Sequence, residues 1–170
     1  MELPLHPKLV HLPIALAILM PLLSSGLLLA IWRNWFPRRV WALVVTGQLL
    51  LVGSGMLAMR SGEADEDRVE RSVPKAVLEH HEEAAEAFVW ASGVLLLFSV
   101  LPLVLRSRRA VLLGAAATCA GSLAVLGLGY EVGQAGGEIV YGHAAAAQFG
   151  VTAPGGTAPG RAGRHDDDDR

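Results

Sequence analysis

Four long apolar stretches dominate this chain of 170 residues. Each has about twenty residues, the length with which an α-helix crosses the hydrocarbon core of a bilayer. The stretches cover residues 12–31, 40–59, 87–105 and 110–132. Because 52% of all residues are apolar and only 18% are charged, the composition does not suit a soluble domain of this size. The sequence therefore predicts an all-α membrane protein, a bundle of four transmembrane helices.

We expect two regions along the chain. Residues 1–150 form the transmembrane domain, and residues 151–170 form a Gly-, Pro- and Asp-rich tail whose composition is typical of disorder. The predicted helices lie near 8–32, 40–60, 75–105 and 110–132, followed by a Gly-rich loop with a short interfacial helix near 138–148. The first apolar stretch is too long for a signal peptide and lacks a small-x-small cleavage site, so we expect an uncleaved span.

Charge is segregated between the connecting segments. The links "RNWFPRR" (33–39) and "RSRR" (106–109), here the first and second arginine links, contain six arginines and no acidic residue. By the positive-inside rule both links face the cytoplasm, and all sixteen acidic residues then fall on the other side. Both termini are predicted to be periplasmic or extracellular. Trp32, Trp35 and Trp41 flank the first link, as expected for an interfacial aromatic belt.

The chain also resembles two copies of one helical hairpin. His11 precedes Arg38, and His81 precedes Arg108, by the same 27 residues, and each copy closes with a Gly-Glu step at Glu63 or Glu138. Two hairpins of the same sense are related by a pseudo-two-fold axis along the membrane normal. This repeat predicts that His11 and His81 occupy equivalent positions near the outer ends of two helices. Facing helices of a bundle are a common place for a cofactor or metal site.

Helical geometry ranks the histidines. Glutamates occupy one face at the start of the third helix, and His81 lies on the opposite, inward face, while His80 lies near the boundary. His6 and His11 are five residues apart, roughly 140° around a helix, and His11 lies deeper. We therefore expect His11 and His81 as ligands, with His6 and His80 nearby and His143 as a third partner or lid. The candidate supporting acids are Glu63, Asp65, Glu131 and Glu138.

Three segments carry a family resemblance: "HPKLVHLPIAL", "EHHEEAAEAF" and "GGEIVYGHAA". Together with the acidic segment "SGEADED", they resemble the bacterial membrane family catalogued as domain of unknown function 2231, over about residues 5–150. Leu12 and Ala144 depart from its usual Phe and Gly. The resemblance implies a bacterial inner-membrane protein. Similar proteins sometimes carry an attached Rieske-type iron–sulfur or c-type cytochrome domain, which implies redox work at the outer face.

The leading hypothesis is a b-type haem held by His11 and His81, for electron transfer with a quinol or with a periplasmic Rieske-type or c-type cytochrome protein. An outer-face Zn or Cu site is a second hypothesis. The third is a structural or assembly subunit, with the histidines as interfacial anchors and the glycines as helix contacts. We expect an electron-transfer or binding protein over a stand-alone enzyme, with the lipid bilayer and no nucleic acid as partner. The oligomeric state stays open.

Overall fold

The computed structural model of the chain describes residues 6–69, 73–139 and 141. In these residues all regular structure is helical, and four helices are long and apolar enough to cross a membrane. The prediction of an all-α protein with four spans is therefore confirmed. The helices are α1 (His6–Leu9), α2 (His11–Trp32), a 3-10 turn (Arg38–Trp41), α3 (Ala42–Val69), α4 (Lys75–Ser99), α5 (Leu101–Val104) and α6 (Arg108–Gly137).

The four long helices form a closed bundle in which α2 and α4 each pack against both α3 and α6. Small residues let the helix backbones approach each other, as is usual inside membranes. A Cβ atom on Gly47 would lie 2.6 Å from the Met20 sulfur, and one on Gly121 would lie 2.5 Å from a Leu95 methyl group. The outer helix faces expose large apolar side chains, among them Leu22, Leu97 and Leu113. These faces contact lipid when the bundle lies in a bilayer.

The two arginine links meet at one end of the bundle. Arg38 Nη1 donates to the Leu105 carbonyl at 2.6 Å, and Arg108 Nη2 donates to the Trp32 carbonyl at 2.8 Å. We call this the arginine end. The opposite end, where α3 finishes and α4 begins, is the acidic end. Its glutamates include Glu63, Glu79, Glu82, Glu83, Glu86, Glu131 and Glu138.

The prediction for the aromatic belt is wrong at one residue. Trp32 and Trp35 are exposed, as a belt requires, but Trp41 is fully buried. Its indole Nε1 donates to the Ser99 carbonyl at 2.9 Å. The 3-10 turn that opens the second span rotates Trp41 into the bundle, where the bond to α4 satisfies the only polar group of the ring.

Several helix boundaries differ from the sequence prediction. The second predicted helix, α3, continues to Val69, through an acidic segment well beyond the apolar stretch, because residues 63–69 contain no Gly or Pro and several good helix formers. The fourth, α6, continues to Gly137, through the start of the predicted Gly-rich loop, and the third is interrupted at Val100. The first predicted helix is interrupted at Val10, which separates α1 from α2. Of the predicted helix near 138–148, residues 138, 139 and 141 form a π-helical turn. Residues 142–148 and the tail 151–170 lie outside the described residues.

Candidate functional site

Two histidines meet at the acidic end of the bundle. His6 lies on α1, which packs across α3, and His81 lies one and a half turns into α4. Their ring centroids are 6.3 Å apart and the ring planes are nearly perpendicular, at 88°. Both side chains are half-buried. The fold therefore brings together two imidazoles that are 75 positions apart in the sequence.

The end of α3 fixes the orientation of the His6 ring. His6 Nδ1 lies 2.9 Å from the Ala58 carbonyl oxygen and 3.1 Å from Ser61 Oγ. The Ser61 hydroxyl itself donates to the same carbonyl at 2.7 Å. Since a carbonyl oxygen can only accept, the bond to Ala58 requires the proton on Nδ1. The Nε2 lone pair of neutral His6 is then available to bind a metal ion.

His81 has an unsatisfied nitrogen. Its Nδ1 is buried and has no hydrogen-bond partner among the described residues. A buried polar atom without a partner is costly, so such an atom in a native protein calls for an explanation, such as a bound group or water. The His81 ring also interacts with the Val132 backbone. Because Nδ1 makes no hydrogen bond of ordinary geometry with a described residue, it is the nitrogen that a bound ligand would satisfy.

Glycines flank both rings. A Cβ atom on Gly62 of α3 would lie 3.2 Å from His6 Cε1, and one on Gly136 of α6 would lie 3.2 Å from His81 Cε1. Contacts this short force the neighbouring ring to move. The absence of a side chain at these two positions therefore leaves the space that the histidine rings occupy.

A cavity of about 690 Å³ opens beside the two rings. This volume falls within the range of about 300–1,000 Å³ for sites that bind small molecules and cofactors. Apolar side chains on its lining include Met59, Val89 and the exposed Trp90. Five glutamates lie on the same lining: Glu63, Glu79, Glu82, Glu83 and Glu86. The lining thus combines apolar and acidic side chains.

A second cavity, of about 680 Å³, lies on another side of the same end. It is lined by His80, Glu131 and Glu138, together with Tyr130 and Gln134, whose side chains are hydrogen-bonded to each other. The predicted supporting residues are therefore divided. Glu63 lies with the His6–His81 pair, whereas His80, Glu131 and Glu138 line the other cavity.

The expectation that His11 would meet His81 is wrong, because His6 takes that place. His11 is exposed at the start of α2. The angle of about 140° between positions 6 and 11 allows only one of the two residues to face the bundle. The backbone stays helical through Val10, whose N–H donates to the His6 carbonyl, so this angle holds across the junction of α1 and α2 and places His6, not the deeper His11, against α3. Asp65 lies on α3, but its side chain and all of His143 lie outside the described residues.

Several residues of the site have no clear signal in the sequence. The Ala58 carbonyl is a backbone atom, and Ser61, Gly62 and Gly136 look like ordinary small residues of a membrane helix. Within the described residues, no three His, Cys, Asp or Glu side chains form a group that could hold a metal ion. The His6–His81 pair is therefore a two-donor arrangement.

A family model described as "Predicted membrane protein (DUF2231)" matches residues 2–148. The chain belongs to this family. The match includes His6 with its flanking segment and His81 with the acidic start of α4, so both histidines lie within the region that defines DUF2231. The family description gives a membrane protein and names no activity. No curated protein and no solved structure matches the chain.

Proposed function

We propose that the protein is a b-type haem protein of the membrane, in which His6 and His81 would hold the haem iron. The observation that carries this proposal is the approach of the two imidazoles, with His6 Nδ1 already bonded to a backbone carbonyl. Metal-bound histidines usually donate their second ring nitrogen in this way, which fixes the tautomer and the direction of the ring. The haem would serve electron transfer with a quinol or with a periplasmic redox protein of the Rieske or c-type cytochrome class.

The distance between the rings agrees with a shared metal ion. Imidazole nitrogens bind metals at about 2.0–2.1 Å, so two nitrogens on opposite sides of one ion are about 4 Å apart. Each ring centroid lies roughly one ångström farther from the ion than its coordinating nitrogen. A centroid separation of 6.3 Å matches this requirement. His81 Nδ1, buried without a partner, is a suitable second donor.

The number of donors favours haem over a bare ion. Structural zinc is almost always bound by four protein ligands, and catalytic zinc by three. The described residues provide two histidines and no group of three donors. Haem iron receives its remaining ligands from the macrocycle and needs only axial residues from the protein. A two-histidine site beside a cavity of about 690 Å³ therefore fits haem better than Zn or Cu.

The surrounding residues would tune the iron. A bound haem supplies one-electron oxidation and reduction. Glu63 and Glu83, on the lining of the cavity, would favour the more positively charged oxidised state and so lower the reduction potential. The bond from His6 to the Ala58 carbonyl makes its imidazole a stronger donor, which acts in the same direction.

We also propose that the acidic end faces the periplasm and the arginine end the cytoplasm of a bacterial inner membrane, with both termini outside. The separation of charge between the two ends supports this orientation. In a Cys119→Ser background, a membrane-impermeant thiol reagent added to intact spheroplasts should label Glu63→Cys and leave Arg106→Cys unlabelled until the membrane is broken. The reverse pattern would contradict the orientation.

The haem assignment is tested by the visible spectrum of the protein purified from cells supplied with haem. We expect a Soret band at about one haem per chain, and sharpened α and β bands when a reduced quinol is added. Metal analysis of the same sample tests the alternative, a bare Zn or Cu site. A sample without a Soret band but with stoichiometric Zn or Cu would overturn the haem assignment.

A further inference from the structure

The arginine end has a cavity of its own, on the opposite end of the bundle from the histidines. It measures about 410 Å³, and three arginines line it: Arg38 from the first link, and Arg106 and Arg108 from the second. None of the described residues that line it is acidic. Apolar side chains complete the wall, among them Ile31, Phe36 and Leu112. Arginines of both links therefore line one cavity whose remaining wall is largely apolar.

Backbone contacts hold two of these arginines in place. Arg38 reaches across to the Leu105 carbonyl and Arg108 to the Trp32 carbonyl. Each guanidinium has five N–H donors, so one bond to a carbonyl leaves several donors for another acceptor. The first link is shaped by Asn34, whose φ of 57° turns the chain after α2 and brings Phe36 to the cavity. The arginines are therefore positioned and not merely clustered.

The ligand chemistry follows from these residues. Guanidinium groups bind phosphate oxygens through paired hydrogen bonds, and an acid-free basic site selects an anion. The exposed rings of Trp32, Trp35 and Phe36 lie at the same end, as expected for residues at the depth of lipid headgroups. Basic pockets between transmembrane helices can bind anionic lipid headgroups. We propose that this cavity binds a phosphate group, supplied by an anionic phospholipid whose acyl chains lie along the outer surface of the bundle.

The test uses the full-length chain in detergent, stripped of lipid. Phosphatidylglycerol and phosphatidylcholine with the same acyl chains are added separately, and bound lipid is counted by native mass spectrometry. Two variants from one link form a matched pair. Arg106→Gln removes an arginine that lines the cavity, whereas Arg109→Gln removes an arginine of the same link that is also exposed but is not part of the lining. In a third experiment, inorganic phosphate is added at the concentration used for the lipids. Its effects on phosphatidylglycerol retention and on the midpoint of thermal unfolding are measured.

We expect the wild-type protein to retain phosphatidylglycerol in preference to phosphatidylcholine. Arg106→Gln should weaken that retention about fivefold, the effect of one basic residue near a lipid phosphate, and Arg109→Gln should leave it unchanged. Equal loss in the two variants, or equal retention of the two lipids, would overturn the site. Inorganic phosphate could also raise the midpoint of thermal unfolding as much as phosphatidylglycerol does and displace the bound lipid. That result would assign the site to a soluble phosphate and overturn the lipid assignment.

Discussion

Replacing His6 or His81 with alanine should raise the dissociation constant for haem at least about tenfold, whereas replacing His11 should leave it within twofold of the wild-type value. His6 and His81 face each other at 6.3 Å, and each supplies one of the two axial nitrogens in our proposal. His11 is exposed on α2, five positions from His6. The measurement is a titration of haem into the haem-free protein in detergent, followed at the Soret band.

His11→Ala is a matched control because it removes the same side chain from the same N-terminal segment. A melting curve for each variant separates loss of ligand binding from loss of folding. If His11→Ala abolished binding and His6→Ala did not, the pairing predicted by the internal repeat would be right and the His6–His81 site wrong.

Gly136→Val should weaken haem binding by about 10- to 100-fold, the usual effect of a change that displaces a metal-binding histidine. Even a Cβ atom at position 136 lies 3.2 Å from His81 Cε1, and the two valine methyl groups fill more of the space that the ring occupies. The His81 ring must then shift, which changes its position relative to His6. Haem titration of the variant measures the loss.

Gly133→Val is the control for this change. It lies one turn earlier on the same helix, and a Cβ atom there meets nothing within 4 Å. Both variants introduce the same β-branched residue into α6, so the cost to the helix itself should be similar. Equal haem affinity in the two variants would show that contact with His81 does not matter for binding.

The sequence was sufficient to predict the four spans, because the apolar length required by a bilayer is a local property of the chain. The charge pattern likewise indicated that the two arginine links share one end, and the bonds from Arg38 and Arg108 to the opposite links agree with this. Helix ends were harder to predict. Apolarity marks where the membrane ends and not where hydrogen bonding along the helix ends, so the acidic extension of α3 to Val69 was missed.

The site could be predicted only in part. The glutamate face of α4 correctly indicated that His81 turns towards the bundle, because that face is set by helix periodicity alone. The choice between His6 and His11 depended on which side of the first helix packs against α3. His6 is held on that side by its bond to the Ala58 carbonyl, 52 positions away, and no local pattern contains this information. The internal repeat favoured His11 by spacing alone, and its pseudo-symmetry stays a prediction.

The central claim, that His6 and His81 bind one iron from opposite sides, is tested most directly by electron paramagnetic resonance of the ferric, haem-loaded protein. We predict a low-spin signal for wild-type protein and for His11→Ala, a high-spin signal for His6→Ala, and a return to low spin when free imidazole is added to His6→Ala. A high-spin signal from the wild-type protein, or a low-spin signal from His6→Ala without added imidazole, would contradict the claim.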